Sequence, residues 1–241
     1  MSSNSFPRRV LLKLSGEILK GSLEHGVEGA ATARLALAIK AFHQFPVQLG
    51  IVIGGGNIFR GIQGEDMARA PADHMGMLAT LINGIALEQA LKKAGVPVRL
   101  MSAIDCPKVA EPYQWGHAEE ALSRNEVVIF VGGTGNPYFT TDTAAALRAS
   151  EIEAQVVFKA TKVAGVYSCD PKKDPQAQFY PSLNYEEVLA KKFGVIDSTA
   201  VALCRQQGIP IYIFNMKHLQ PSDVEEILLF RCGGTIIKNG V

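Results

Sequence analysis

Short apolar runs rich in Val, Ile and Leu recur along this chain, separated by longer stretches in which apolar residues return every three or four positions. Continuous runs of four to seven apolar residues mark strands of a parallel sheet covered on both faces. They predict strands at residues 10–14, 47–53, 96–101, 127–131, 154–159 and 211–214. Helices are predicted at 32–45, 77–93, 141–150 and 198–207, the last ending at Gly208, a natural residue for the position after a helix. In 77–93, Leu78, Leu81, Ile82 and Ile85 share one helical face, which should lie on the sheet. Alternating strands and helices imply right-handed crossovers. Residues 167–182, with Pro171, Pro175 and Pro181, predict a hairpin or flap rather than a linker.

With 241 residues the chain suffices for one large α/β domain with an ample core. A net charge of +1 gives no global field for DNA, anionic lipid or a polyacid, so an anionic ligand must be held locally. Cys106, Cys169, Cys204 and Cys232 are scattered without metal-ligand spacing, as expected of reduced thiols in a cytoplasmic protein. The apolar run at residues 10–14 is too short for a signal peptide, and nothing approaches a membrane span.

Three glycine-bearing loops follow predicted strands: Leu14-Ser15-Gly16, Gly54-Gly55-Gly56-Asn57 and Gly132-Gly133-Thr134-Gly135-Asn136. The carboxyl edge of an open α/β sheet is where ligands bind. Glycine there lets backbone N–H groups approach phosphate oxygens, and a following helix adds a favourable dipole. Any one loop reads equally well as an ordinary turn; three together point to a shared crevice. No GxxxxGK(S/T) is present, and Gly54-Gly55-Gly56-Asn57-Ile58-Phe59 lacks the last glycine of GxGxxG, so neither a P-loop kinase nor a Rossmann dehydrogenase is indicated.

Lys13, between Leu12 and Leu14 at a strand end, either reaches that crevice or snorkels to the sheet edge. Lys159 and Lys162 form a second cationic cluster at the same edge. Asp142 either complements a helix dipole or orients the lysines, and Asp73 either caps a helix or binds ribose hydroxyls. His74 has no partner that nominates it for chemistry. No nucleophile signature is present, and an acceptor that is itself a phosphate needs none: holding two anions in line and neutralising charge suffices.

With these residues laid out, the chain resembles the bacterial uridylate kinases of the amino acid kinase superfamily. The resemblance runs through LLKLSGE from Leu11, GIVIGGGNIFRG from Gly50, DHMGMLAT from Asp73, RLMSAI from Arg99, GTGNPYFTTDTAA from Gly133 and KATKVAGVYSCDP from Lys159. It implies a single amino acid kinase-like domain over residues 1–241, an α/β three-layer αβα sandwich with a mainly parallel central sheet, assembled as a cytoplasmic homohexamer. It also implies Mg²⁺-dependent phosphorylation of UMP to UDP by ATP in pyrimidine biosynthesis, without direct nucleic acid or membrane binding. Lys13, Lys162 and Asp142 would be catalytic. ATP would meet Lys13, Leu14, Ser15, Gly16, Gly56, Arg60, Thr161, Tyr167 and Asp170. UMP would meet Gly55, Asp73 and the loop of Thr134, Gly135, Asn136, Pro137, Tyr138, Phe139, Thr140 and Thr141. No protein metal ligand is implied.

Relatives of this kind are commonly activated by GTP and inhibited by UTP. Here Glu88 and Glu126 stand where basic residues would be expected for GTP, with Lys92 and Arg99 as partial compensation. GTP activation is therefore in doubt, whereas UTP could still inhibit at the UMP site. The alternative is a non-catalytic nucleotide-binding regulator or another member of the superfamily.

Overall fold

The computed structural model describes residues 6–59, 67–191 and 193–240. Strand β1 (Arg9–Leu14) is followed by helices α1 (Glu17–Lys20) and α2 (Gly29–Phe42), strand β2 (Gln48–Ile53) and the long helix α3 (Arg69–Lys93). Then come β3 (Val98–Ser102), β4 (Glu111–Pro112), α4 (Trp115–Ser123), β5 (Val127–Val131), α5 (Thr141–Glu151) and β6 (Val157–Thr161). The remainder is β7 (Val166–Tyr167), β8 (Phe179–Tyr180), β9 (Ser182–Leu183), α6 (Tyr185–Lys191), α7 (Ser198–Gln207), β10 (Ile211–Asn215), α8 (Val224–Leu228) and β11 (Thr235–Ile237).

Nine strands form one sheet in the order β4-β3-β5-β2-β1-β6-β10-β11-β9, and only the β10–β11 pair is antiparallel. Side chains alternate across it. Val10, Leu12 and Leu14 pack with α2, α3 and α8 in one apolar layer, while Leu11 and Val157 pack with α4 to α7 in the other. The three-layer, mainly parallel architecture is thus as expected. All six predicted strands and four predicted helices are present. β7 and β8 pair as the hairpin expected of the proline-bearing segment, with Tyr167 opposite Phe179. The two- and three-residue strands carry too few apolar positions to show in the pattern, and α4 buries only Ala118, Ala121 and Leu122.

One expectation is overturned in part. Of the predicted face, Leu81 is buried and Ile85 packs against the core, but Leu78 and Ile82 are 49% and 51% exposed; the buried face is that of Met77, Thr80, Leu81, Gly84, Leu87 and Leu91. Small residues let this helix approach closely: a Cβ on Gly84 would lie 2.5 Å from Val131 Cγ1 and 2.8 Å from Leu100 Cδ1. Leu78 and Ile82 are turned away from the sheet. The helix also begins eight residues before the predicted start, taking Pro71 into its first turn, where a missing N–H is tolerated.

Alanine is the better helix former by about 1 kcal/mol. Gly84→Ala is nonetheless expected to lower the unfolding free energy by about 1–3 kcal/mol through overpacking. Urea denaturation measures this, and an unchanged or raised midpoint would show that α3 can lift from the sheet without loss.

Candidate active site

Strand parity and register bring the cations together. Lys13 shares the face of Leu11 on β1, Lys159 shares that of Val157 on β6, and the two lysines are direct partners in the parallel ladder. Parallel strands lie about 4.8 Å apart, so two ammonium groups are forced into proximity. Asp142, in the first turn of α5, lies between them: its Oδ1 is 2.7 Å from Lys13 Nζ and its Oδ2 pairs with Lys159 Nζ. The lysine and aspartate side chains are all largely buried.

Burial alone would push the Asp142 carboxyl up, but Lys13 and Lys159 outweigh it and hold the group at about 2. Burial pulls the Lys159 ammonium down to about 8, opposed by Asp142 and reinforced by Lys13. Asp142 therefore stays ionised and is a poor proton acceptor. The lysine-orienting reading of Asp142 is the one the geometry favours, although the dipole at the α5 N-terminus also suits a carboxylate.

That N-terminus is itself fixed. Thr140 caps it, accepting from the backbone N–H of Asp142 at 3.1 Å and of Thr143 at 3.5 Å. Asp197 accepts from the hydroxyls of Thr140 and Thr143 and, at 2.8 Å, from Ala200 N at the start of α7. One carboxylate thus ties two helix ends together beside the lysines. An aspartate before Ser198 and an apolar helix is legible as a cap; its reach to α5 is not.

Lys162 is placed differently from Lys13. It lies just past the end of β6, half exposed, and pairs with the buried Glu17 carboxylate at the start of α1. Of the KATK lysines, the structure brings Lys159, rather than Lys162, to Asp142. Leu14 is fully buried and offers only backbone; its carbonyl accepts from Gly54 N at 2.9 Å. Gly16 has no room for a side chain, since a Cβ would fall on Asn57 Oδ1 and Gly54 O. Ser15 stands between them, and Arg60 lies outside the described residues.

Asp73 is not a helix cap: it is in the second turn of α3, whose N-cap is Ala68. Its Oδ2 accepts from Tyr138 N at 2.7 Å and lies 3.4 Å from Arg69 Nε. It so holds the loop before α5, where Tyr138 adopts a positive φ of 74°. Gly55, Gly56, Asp73, Phe139, Thr140 and Thr141 line a cavity of about 330 Å³. Of the rest of the predicted acceptor loop, Thr134 faces a groove between α5 and α7, Gly135 packs on Ala103 O, Pro137 is half-buried, and Asn136 and Tyr138 are exposed. Thr161, Tyr167 and Asp170 line a second cavity of about 480 Å³ beside the β7–β8 hairpin. Between the two lies a third, of about 520 Å³, holding Lys13, Asp142 and Asp197; it shares Thr140 and Thr141 with the first and Phe193 and Gly194 with the second.

A continuous cleft with glycine backbone at one wall and two buried cations at its waist defines an α/β protein that handles two anionic ligands at once. The profile of the Amino acid kinase family matches residues 8–215, and the chain belongs to that family. It is 56% identical over 239 residues to the uridylate kinase of Protochlamydia amoebophila, covering 98% of this chain and 95% of that one. To the uridylate kinase of Pseudomonas aeruginosa PAO1 it is 49% identical over 235 residues, covering 97% and 95%. Its structure is similar to that of the UMP kinase from Bacillus anthracis, with a TM-score of 0.92 at 34% identity over 98% of both chains.

A pH prediction follows from the two lysines. kcat/KM should fall as pH rises through about 8, where free-enzyme Lys159 loses its charge. The stability contribution has the opposite sign. Lys159 titrates below its ordinary 10.5, so the unfolded chain binds more protons between these values and the group's contribution to stability rises with pH there. Asp142→Asn removes the carboxylate that helps keep Lys159 charged and should move the alkaline limb to lower pH. A limb left in place by that substitution would detach it from Lys159.

Proposed function

We propose that this chain is a UMP kinase, transferring the γ-phosphate of ATP to UMP to give UDP and ADP. The observation that carries this reading is the Lys13–Asp142–Lys159 cluster at the waist between two cavities, in a chain about half identical to uridylate kinases over nearly its whole length. The acceptor oxygen of UMP is already ionised, so no general base is needed, and a carboxylate held at about 2 is suited to holding cations rather than taking protons. Lys13 and Lys159 offset the charge that spreads over the transferring phosphoryl group, and glycine amides hold its oxygens.

ATP occupies the hairpin side, with Thr161, Tyr167 and Asp170 at the nucleoside and residues 13–16 with Gly56 at the phosphates. Lys162, released from Glu17, is long enough to join them. UMP occupies the cavity of Gly55 and Asp73, closed by the loop of residues 134–141. Mg²⁺ supplies charge neutralisation on the phosphates. The waist presents ammonium groups and amides rather than an acidic cage, and among the described residues no three acidic, His or Cys side chains gather as one. The ion would therefore ride on nucleotide oxygens.

The chain also assembles as a homohexamer on this reading: Met75, Leu78 and Ile82 leave an exposed apolar stripe on α3 that a second copy would cover. At the far end of α3 and the start of β3, Lys92 is 2.8 Å from Glu88, and Arg99 is held by Glu111 and Glu126, so these two cations face carboxylates that would repel GTP. Among the described residues no helix is long and apolar enough to cross a membrane.

An ADP-release assay should show turnover with UMP that requires ATP and Mg²⁺; turnover with acetylglutamate or aspartate but none with UMP would overturn the assignment. Lys13→Ala should lower kcat by about two to three orders of magnitude with UMP affinity much less affected. Asp73→Ala should act mainly on the UMP KM, and a normal KM would reduce Asp73 to a strut for Tyr138. In the same assay UTP should inhibit in competition with UMP, while GTP should change the rate by less than about twofold, since the Glu88 and Glu126 carboxylates repel a triphosphate.

A further inference from the structure

Behind the cleft lies a polar pair that phosphoryl transfer does not touch. Asn57, at the end of the Gly54-Gly55-Gly56 loop, and Asn83, in the middle of α3, are 2% and 0% exposed. Their amides face each other head to tail: Asn57 Nδ2 donates to Asn83 Oδ1 at 2.9 Å, and Asn83 Nδ2 donates to Asn57 Oδ1 at 2.7 Å. Each has one N–H left, and each is used. Asn57 donates to Gly26 O at 2.8 Å, and Asn83 donates to Gly54 O at 2.7 Å. All four N–H donors are satisfied without water, as buried amides require.

The pair joins three parts of the site that are remote in sequence. Asn57 Oδ1 and Gly54 O fill the space where a Gly16 side chain would be, so the loop of residues 14–16 rests directly on them. The peptide groups of Asn57 and Gly26 are bonded as well, with Gly26 N donating to Asn57 O at 2.8 Å. Asn83 belongs to α3, which carries Asp73 ten residues earlier and leaves no room for a side chain on Gly55, whose Cβ would be 2.8 Å from Ala79 Cβ. Loops assigned to the donor phosphates, loops assigned to the acceptor and the helix bearing Asp73 thus meet at two amides.

We propose that the Asn57–Asn83 pair is a positioning device that sets the spacing between the loops at residues 14–16 and 54–56, and with it the alignment of donor and acceptor phosphates. The inference rests on the assignment of the two halves of the cleft to ATP and UMP. An amide pair is suited to this task because it is neutral. It adds no field to a site whose charges are already balanced, while its four directional bonds fix distance and angle. Asn57→Asp would set a carboxylate oxygen against Gly26 O and Asn83 Oδ1, and Asn83→Asp would set one against Gly54 O and Asn57 Oδ1. Both substitutions keep shape and volume but change the pattern of donors and bury an ionisable group, which Asn83→Leu does not.

The test separates alignment from binding of either nucleotide. Calorimetry on the full chain would compare ADP alone, UMP alone and a bisubstrate analogue in which adenosine and uridine are joined through a pentaphosphate. Wild type should bind the analogue far more tightly than either nucleotide. Asn57→Asp, Asn83→Asp and Asn83→Leu should each bind the single nucleotides within about threefold of wild type, yet lose about a hundredfold of the analogue's advantage and a similar factor in kcat, as misplacement by about 1 Å does. Leu87→Ala, a buried apolar change one turn along the same helix from Asn83, should lower the melting temperature and leave the advantage intact. All measurements are made well below each variant's melting temperature. The proposal is overturned if the asparagine variants keep the advantage, or if Leu87→Ala loses it equally. A wild type that gains nothing from the analogue sinks the assignment of the two halves, and this proposal with it; a wild type that gains while the asparagine variants also gain sinks the proposal alone.

Discussion

A single carboxylate between two buried ammonium ions is the interaction on which the site depends. Two like charges on neighbouring strands repel by several kcal/mol at an effective dielectric of about 20, and each also loses hydration on burial. Asp142 offsets both penalties only because α5 begins where it does. That start is held by the Thr140 cap and by Asp197, which reaches from α7. The electrostatics at the waist of the cleft are therefore an expression of helix placement, and helix placement is an expression of capping. Removing Asp142 leaves two buried ammonium groups facing each other with nothing to offset their repulsion.

The cavity lined by Gly55 and Asp73 is organised by hydrogen bonds to backbone. Asp73 grips the amide of Tyr138, a residue in left-handed conformation, and Thr80 accepts from Gly132 N at 2.8 Å. Both ligating side chains come from α3, so one helix holds the loop that follows β5 at two points. The loop before α5 is thus shaped before any ligand arrives, which reduces the ordering that binding would otherwise require.

Much of this was legible in the chain. The buried strands announce themselves as apolar runs, and glycines at their ends mark the loops. A lysine inside such a run, as at Lys13, stands out because burial there needs a reason. What was not legible depends on geometry finer than periodicity. Lys159 and Lys162 look alike in sequence, but the parity of β6 turns Lys159 toward α5 with Val157, whereas Lys162 lies past the strand and meets Glu17. The face of α3 is rotated from the predicted one: Leu81 and Ile85 pack inward as expected, but Thr80 and Gly84, whose small size permits close approach, take the place expected of Leu78 and Ile82. The cap reading of Asp73 goes with a helix predicted to start at residue 77, whereas α3 starts at Arg69 with Pro71 in its first turn, where proline is tolerated. The reach of Asp197 across to Thr140 spans 57 positions and leaves no local trace.

The pairing of Lys13 with Lys159 across β1 and β6 carries a consequence for folding itself. Sliding either strand by one residue would send its lysine to the opposite apolar layer, the one that holds Leu12, Leu14 and Phe158, and leave Asp142 with one cation in place of two. A molecule paired in the wrong register would thus bury a bare charge as well as lose its chemistry. The functional residues act as a checksum on the sheet, so that the chain cannot settle stably into a neighbouring register with an inactive centre.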